Sequence, residues 1–324
     1  MIGRIISITL LVFGMTILCA CSERDSPSDG TLEANSEEIC TATIVVTRDF
    51  GSELILKQEM EIESGTSAMA ALQMVANVEN KYGGGFVSSI NSINSEYEKA
   101  NNSKKDWFLY INGVASNIGA RDYILQDNDV EHWDFRDWSY QQFVPAIIGD
   151  FPQPFLSGFQ GGLKPTLVVY EKPFSGEAEA LVEKMKGYGV VEVEAISCDL
   201  LSDEAKGKSN LIIIASPENT LISELNEVHE KLGFYAYFEQ GALILLDAEG
   251  NNYMNHTEGY GLIQATQNPW NPKGVGSGEN VVWMVTGVDM NGVRNAAELL
   301  TNKNNELQDT FAVIIIDNIV IKIP

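Results

Sequence analysis

The chain has 324 residues and a formal net charge of −24, from 45 acidic side chains against 21 basic ones. That excess excludes nucleic acid as a partner, because phosphate binding needs clustered Lys and Arg that release counterions, and it keeps the folded body from lying flat on an anionic membrane. Three histidines, His132, His229 and His256, stand without a neighbouring Cys or a helical His-x-x-x-His pair, so there is no zinc signature and no metal is expected.

The first twenty residues carry Arg4 as their only charge, followed by an apolar run from Ile5 to Leu18 and then Leu18-Cys19-Ala20-Cys21. The run is too short for a spanning helix and stops at small residues, which predicts a signal peptide over 1–20. Leu-x-Ala-Cys resembles the lipobox of bacterial lipoproteins, and that resemblance implies lipidation of Cys21 and a lipid-anchored protein on the outer side of the cell membrane. An ordinary export signal is the alternative. Residues 21–39, rich in Ser, Asp and Glu, form a polar tether with too little apolar content to fold. Export permits disulfides, but Cys40 and Cys198 read as two unpaired thiols, since Cys40 sits at the end of the tether.

From Cys40 a β-branched run, Thr41-Ala-Thr-Ile-Val-Val-Thr, precedes alternation through Leu54, Leu56, Met60 and Ile62, which predicts two strands with one buried face. Ser64-Gly65-Thr66 then opens a helical stripe through Ala68, Ala71, Leu72 and Val75, with a hydroxyl cap at its start. Next, Tyr82 and Phe86 flank Gly83-Gly84-Gly85. Glycines bring backbone close to a ligand, and the flanking aromatic rings would rim a flat one; a flexible turn is the alternative. Trp107 to Ile111 forms an apolar strand turned by Asn112-Gly113, and Tyr123 to Leu125, the Asp127-Asn128 turn and Asp129 to Phe135 predict a second hairpin. Residues 40–140 therefore read as a small α+β domain, one helix on a curled mixed sheet.

This segment resembles the cobalamin-binding β-domain of the intrinsic factor and transcobalamin family. Gly84-Gly-Phe-Val-Ser-Ser-Ile-Asn matches the family's aromatic and glycine-rich turn running into Val-Thr-Ser-Ile-Asn-like sequence. Asp106-Trp107 matches its strand tryptophan, and Ile118-Gly119 before Asp122-Tyr123 matches its Gln-Gly element. The resemblance implies a corrinoid ligand contacted by Tyr82, Gly84, Gly85, Phe86, Val87, Trp107, Leu109, Ile118 and Gly119. The family's turn tryptophan is replaced by Gly83-Gly-Gly-Phe here, with Tyr82 as the nearest substitute. For Trp107 the alternative is a core tryptophan of a half-buried strand. A corrin is a broad apolar disc rimmed with amides, so it asks for an aromatic or aliphatic platform and scattered backbone donors and acceptors. In the animal relatives an α-helical barrel covers the other face of the ligand, and this chain contains no such helical repeats.

Residues 141–165, rich in Pro, Gly and Phe, form a stiff linker with many apolar side chains. Residues 166–324 alternate apolar β-branched runs with helical patterns, which predicts an α/β domain with a mostly parallel sheet covered on both faces and a terminal hairpin turned at Asp317-Asn318. Its loops offer Ala215 to Asn219 before a helix, read as an ordinary cap; Gly274-Val-Gly-Ser-Gly, which lacks a phosphate-loop Lys-Ser; and Trp270 in a rigid polar loop. No Gly-x-Ser-x-Gly elbow or distinctive carboxylate pair is present, so no enzyme is expected. The function expected is a surface-anchored corrinoid-binding lipoprotein feeding a membrane transporter; the alternative is an adhesion or envelope-interaction scaffold that binds protein or glycan.

Overall fold

In the computed structural model, which describes residues 38–81, 86–98 and 103–324, the opening β-branched run forms β1 (Ile39–Arg48) and returns antiparallel as β2 (Glu53–Glu63). β2 exposes Lys57, Glu59 and Glu61 along an outer edge, a charged margin that discourages pairing with another chain. α1 (Ala68–Val75) follows, and its cap is Ser67, whose hydroxyl accepts from Ala70 N at 3.2 Å. A small antiparallel sheet of β3 (Val78–Lys81), β4 (Phe86–Ile90) and β5 (Ile93–Asn94) comes next. Then β6 (Glu96–Glu98), β7 (Ser103–Ile111), β8 (Val114–Ala115) and β9 (Asp129–Asp137) complete the first large sheet in the order β2-β1-β9-β7-β6, with β8 also on β7. The sheet is mixed: β1 and β9 run parallel and the other neighbours antiparallel.

The β7–β8 turn has Asn112 at φ 54° and Gly113 at φ 74°, the two positive dihedrals that make Asn-Gly the preferred hairpin turn. The second expected hairpin does not form. Tyr123–Leu125 is committed elsewhere: Tyr123 O accepts from Ala68 N and Leu125 N donates to Thr66 O, so this stretch closes the start of α1. β9 pairs instead with β1 and β7, which buries it in the middle of the sheet.

Between β9 and the second sheet the Pro/Gly/Phe segment is stitched to both sides. Ala115 N donates to Pro145 O and Ile147 N to Gly113 O, while Ile148 N reaches Phe311 O and Asp309 N reaches Gly149 O. Phe151 and Phe155 pack on Trp283 with ring centroids 5.8 and 5.2 Å away.

The second sheet is built from β10 (Thr166–Tyr170), α2 (Ser175–Gly187), β11 (Val193–Ser197), α3 (Asp203–Lys208), β12 (Asn210–Ile214) and α4 (Thr220–Glu227). A hairpin excursion follows, β13 (Ala236–Glu239), β14 (Ala242–Leu246) and β15 (Asn252–His256). The chain closes with β16 (Gly261–Gln267), β17 (Val281–Gly287), α5 (Met290–Asn302), β18 (Ala312–Ile316) and β19 (Ile319–Ile323). The order is β11-β10-β12-β17-β16-β18-β19. Its first three pairings are parallel and its last three antiparallel; the last is the expected terminal hairpin, and the other two depart from the mostly parallel sheet that was expected. β16 causes the change: it returns through a loop, not a crossover helix, and therefore lies antiparallel to both its neighbours. The terminal hairpin forms at Asp317-Asn318.

Alternate side chains of this sheet enter two cores. Val168, Ile212 and Trp283 join α2 and α5 on one face, while Leu167, Leu211 and Ile213 join α4 and the β13–β14 hairpin on the other. A third cluster joins Phe50 and Tyr110 of the first half, Val144 and Ile147 of the connecting segment, and Tyr235 and Phe311 of the second. The two sheets thus share a core, and Glu37–Pro324 forms one compact unit.

The connecting segment approaches the second half so closely at Gly149 that a Cβ there would meet the backbone of Asp309 and Thr310. Gly149→Ala is therefore expected to destabilise by about 2 kcal/mol or more through overpacking against backbone that cannot rotate away. Gly176→Ala, in open space at the start of α2, should be neutral or stabilise by up to about 1 kcal/mol. Urea melts of the two variants check the contrast, and equal midpoints would refute the close-packing account.

Candidate functional site

The first half opens a cavity of about 410 Å³ where β4, the middle of β7, the turn after β8 and the connecting segment meet. All six described residues singled out in sequence line it: Phe86 and Val87 from β4, Trp107 and Leu109 from β7, Ile118 and Gly119 from the following loop. Tyr82, Gly84 and Gly85 lie outside the described residues, as does Cys21.

Each wall has a local cause. Trp107 is 6 % exposed and stacks at a tilt on Phe135, ring centroids 5.1 Å apart. Its indole N–H donates to Ile93 O at 3.1 Å, so only apolar ring surface is left for the cavity; it is a core residue and a pocket wall at once. The Ile118 turn is held by Ser116, whose Oγ donates to Ile118 O at 2.8 Å and accepts from Ile118 N. Gly119 O accepts from Asp122 N and Tyr123 N. Ala120 O takes the N–H of Met69 at 2.8 Å, which fastens the loop to the first turn of α1.

β7 contributes an interrupted edge. β6 covers it only at Ser103 to Lys105 and β8 only at Tyr110 and Ile111. Leu109 O accepts from Ser116 N on that outer side, and antiparallel alternation turns Trp107 backbone the same way. Among the described residues Trp107 has no strand partner there, so the cavity floor offers backbone groups as well as rings.

Several lining residues were missed in the sequence reading, chiefly Met69, Trp133, Arg136 and the Gln142–Val144 strap. Trp133 is oriented by Glu131, whose Oε1 accepts from its indole N–H at 2.7 Å. Burial pushes the Glu131 carboxyl up to about 8, although the Trp133 hydrogen bond opposes the shift. Arg136 is 1 % exposed, with its guanidinium 3.6 Å over the Phe108 ring and Nη2 donating to Gln142 O at 3.3 Å. Its Nε and Nη1 have no acceptor among the described residues. The Trp133-Asp-Phe-Arg alternation within β9 was the available signal, but it specifies two faces without saying that both end at one cavity.

Loops of the second half take structural roles. Asn219 caps α4 by accepting from Leu221 N at 3.0 Å, and Ser216 N is occupied by Glu171 Oε2 at 2.9 Å. The Gly274–Gly278 loop is pinned through Gly276 N and Gly278 N to Gln267 Oε1, and it braces the pocket rim because Asn117 Nδ2 donates to Gly276 O and Ser277 O, each at 3.1 Å. Trp270 anchors its own loop, with its N–H on Glu224 and Lys206 Nζ 4.1 Å over its ring. His256 stacks on Tyr260 at 3.5 Å, away from the cavity. Among the described residues no group of three His, Cys, Asp or Glu could hold a metal ion, Cys40 and Cys198 are unpaired, and no helix is long and apolar enough to cross a membrane.

Residues 65–137 match a family described as a domain of unknown function, DUF4430. Haptocorrin in complex with Cbi is similar over 32 % of this chain and 26 % of its own length, at 13 % identity and TM-score 0.27; the chain thus spans about a quarter of haptocorrin. A Ruminococcus gnavus ATCC 29149 protein, assigned as metal-binding on provisional grounds, is similar over 30 % of this chain and 97 % of its own, at 14 % identity and TM-score 0.24. Likeness at that level carries no argument about ligand. No curated protein matches the chain.

The Glu131 carboxyl keeps its proton in the folded state above the pH at which the unfolded chain releases it, so its contribution to stability is full below about pH 4.5 and is lost as pH rises towards 8. His132 acts in the same sense: burial alone would lower it, but the Asp150 carboxylate at 2.9 Å raises it above its ordinary value, so its contribution also falls with rising pH. Tm should therefore drop between pH 5 and pH 8, and Glu131→Gln, which keeps an acceptor for Trp133, should flatten that slope. Calorimetry across the range checks this; an unchanged slope in the variant would show that Glu131 titrates normally.

Proposed function

We propose that the protein is a non-catalytic binder of a corrinoid, carried outside the cell on a lipid-modified Cys21 and presenting its ligand to a membrane transporter. One observation carries the ligand assignment: residues nominated by resemblance to the cobalamin-binding β-domain, spread from Phe86 to Gly119 in sequence, converge on one cavity of about 410 Å³. The chemistry suits the ligand. Trp107, Phe86, Val87 and Ile118 supply apolar surface, and the outward backbone of β7 supplies donors and acceptors for rim amides.

A corrin is broader than this cavity, so the protein grips an edge and part of one face while the remainder stays open. The Gln142–Val144 strap supplies part of the second wall, and the second half of the chain braces it from behind. An open remainder is what handover to a transporter requires.

Cyanocobalamin titrated into the protein should quench fluorescence from Trp107 and Trp133 with a Kd in the micromolar range or tighter, about −8 kcal/mol or better. Ile118→Ala, which trims the rim without touching a hydrogen bond, should weaken binding by about fivefold to thirtyfold, the worth of a partly buried aliphatic side chain. Absence of quenching at high micromolar ligand would rule out the corrinoid reading and favour adhesion to protein or glycan.

A further inference from the structure

We propose that the cavity has a polar pole at Arg136 and takes a ligand whose apolar body carries an anionic oxygen group directed at that guanidinium. The proposal rests on the reading of this cavity as a binding site, but not on the ligand being a corrinoid.

The starting point is an imbalance. Arg136 is almost wholly buried and lines the cavity, yet of its nitrogens only Nη2 is paired, to Gln142 O at 3.3 Å, while Nε and Nη1 lack any acceptor among the described residues. Among the described residues no carboxylate comes within ion-pair distance of it. A buried cation with unmet donors is costly, and folded chains rarely keep one without a use.

The surroundings show why the missing acceptor belongs to a ligand. Both unpaired nitrogens are shielded from bulk water, so solvent does not satisfy them. The guanidinium is held by rings, 3.6 Å over Phe108 and 5.8 Å from Tyr110, and rings offer no lone pairs to in-plane N–H groups. Tyr110 OH donates to Val144 O at 3.0 Å; its oxygen lies near enough to Arg136 for the guanidinium to oppose the upward push of burial on the phenol, but it makes no hydrogen bond to Nε or Nη1. Asp134, two residues away, gives Oδ1 to Thr47 and Gly51 N; its Oδ2 makes no hydrogen bond among the described residues, and the Arg136 charge reaches its carboxyl only through space, opposing the upward push of burial. The cover over the guanidinium includes half-buried Phe108 and the strap at Gln142 and the exposed Phe143, and the strap's bond to Arg136 is long, 3.3 Å. An entering carboxylate, sulfonate or phosphate oxygen that displaces this cover would meet a planar fork of donors, the geometry in which Arg binds oxyanions best.

The test uses two dyes of nearly the same shape. Anilinonaphthalene sulfonate has an apolar body and an anionic head; N-phenylnaphthylamine has the body alone. Arg136→Met should weaken the sulfonate by at least about tenfold, the fold-change of one charge-assisted hydrogen bond, and leave the neutral dye within about twofold. Arg136→Lys should weaken the sulfonate less. If Arg136→Met does not fold, Arg136→Lys alone carries the test, with selective loss of the sulfonate expected because a point charge cannot replace the fork. Parallel changes for both dyes, no change for either, or no binding by the unaltered protein would overturn the proposal. Displacement of bound sulfonate dye by cyanocobalamin is scored separately: its absence counts against the corrinoid reading while leaving the polar pole standing.

Discussion

Strand β9 is the constraint on which the rest depends. It lies between a parallel neighbour, β1, and an antiparallel one, β7, and is buried along nearly its whole length although its sequence is Asp-Val-Glu-His-Trp-Asp-Phe-Arg-Asp. Burying so many ionisable groups demands a partner for each. Asp129 takes Asn112 Nδ2 at 2.7 Å and Tyr123 OH at 3.2 Å; His132 bridges Thr47 and Asp150; Asp134 takes Thr47 and Gly51 N. These partners come from β1 and the turn after it, the turn after β7, the loop after β8 and the connecting segment. The network is therefore what fastens these separate pieces of chain around one strand, while among the described residues it leaves Arg136 Nε and Nη1, and one oxygen each of Glu131, Asp134 and Asp150, without a hydrogen-bond partner.

Its position also creates the cavity. Because β9 claims one side of β7 and β6 and β8 cover only the ends of the other, the middle of β7 is left as an edge. Trp107 and Trp133 project from one face of these two strands, Phe108, Tyr110 and Arg136 from the other, and both sets reach the cavity because it wraps that edge. The apolar wall and the guanidinium thus belong to opposite faces of one sheet, which is why a single pocket has both an aromatic and a cationic end.

Much of this could be read in the sequence where the pattern was local. Alternation in β2, the Asn112-Gly113 turn and the helices near Ala68, Gly176 and Val293 all emerged from spacing of two to four residues, and family resemblance nominated six described residues that do share a cavity. What failed was non-local. Tyr123–Leu125 is as apolar as a strand, but its backbone is drawn to the start of α1. Nothing in Val281–Gly287 reveals that β16 lies antiparallel beside it, and nothing in Asp129–Asp137 reveals that its charges are buried, because each partner is distant in sequence. Arg136 was missed for that reason: its importance lies in what it lacks.

The second half of the chain acquires a role from the same geometry. Gln141 Nε2 donates to Phe143 O within the strap and to Glu230 O beside α4, Gln267 Nε2 reaches Pro145 O, and Asn117 is tied to the Gly274–Gly278 loop. Both flanks of the cavity therefore hang on the second sheet through polar bonds, while the cavity floor hangs on β9. A wall held by a few hydrogen bonds opens at lower cost than one packed into a core, so the strap can yield to a ligand while the floor keeps its shape. That division places any adaptation to the ligand at residues 141–143, with Val144 anchored in the third core cluster, and fixes recognition at β7 and β9.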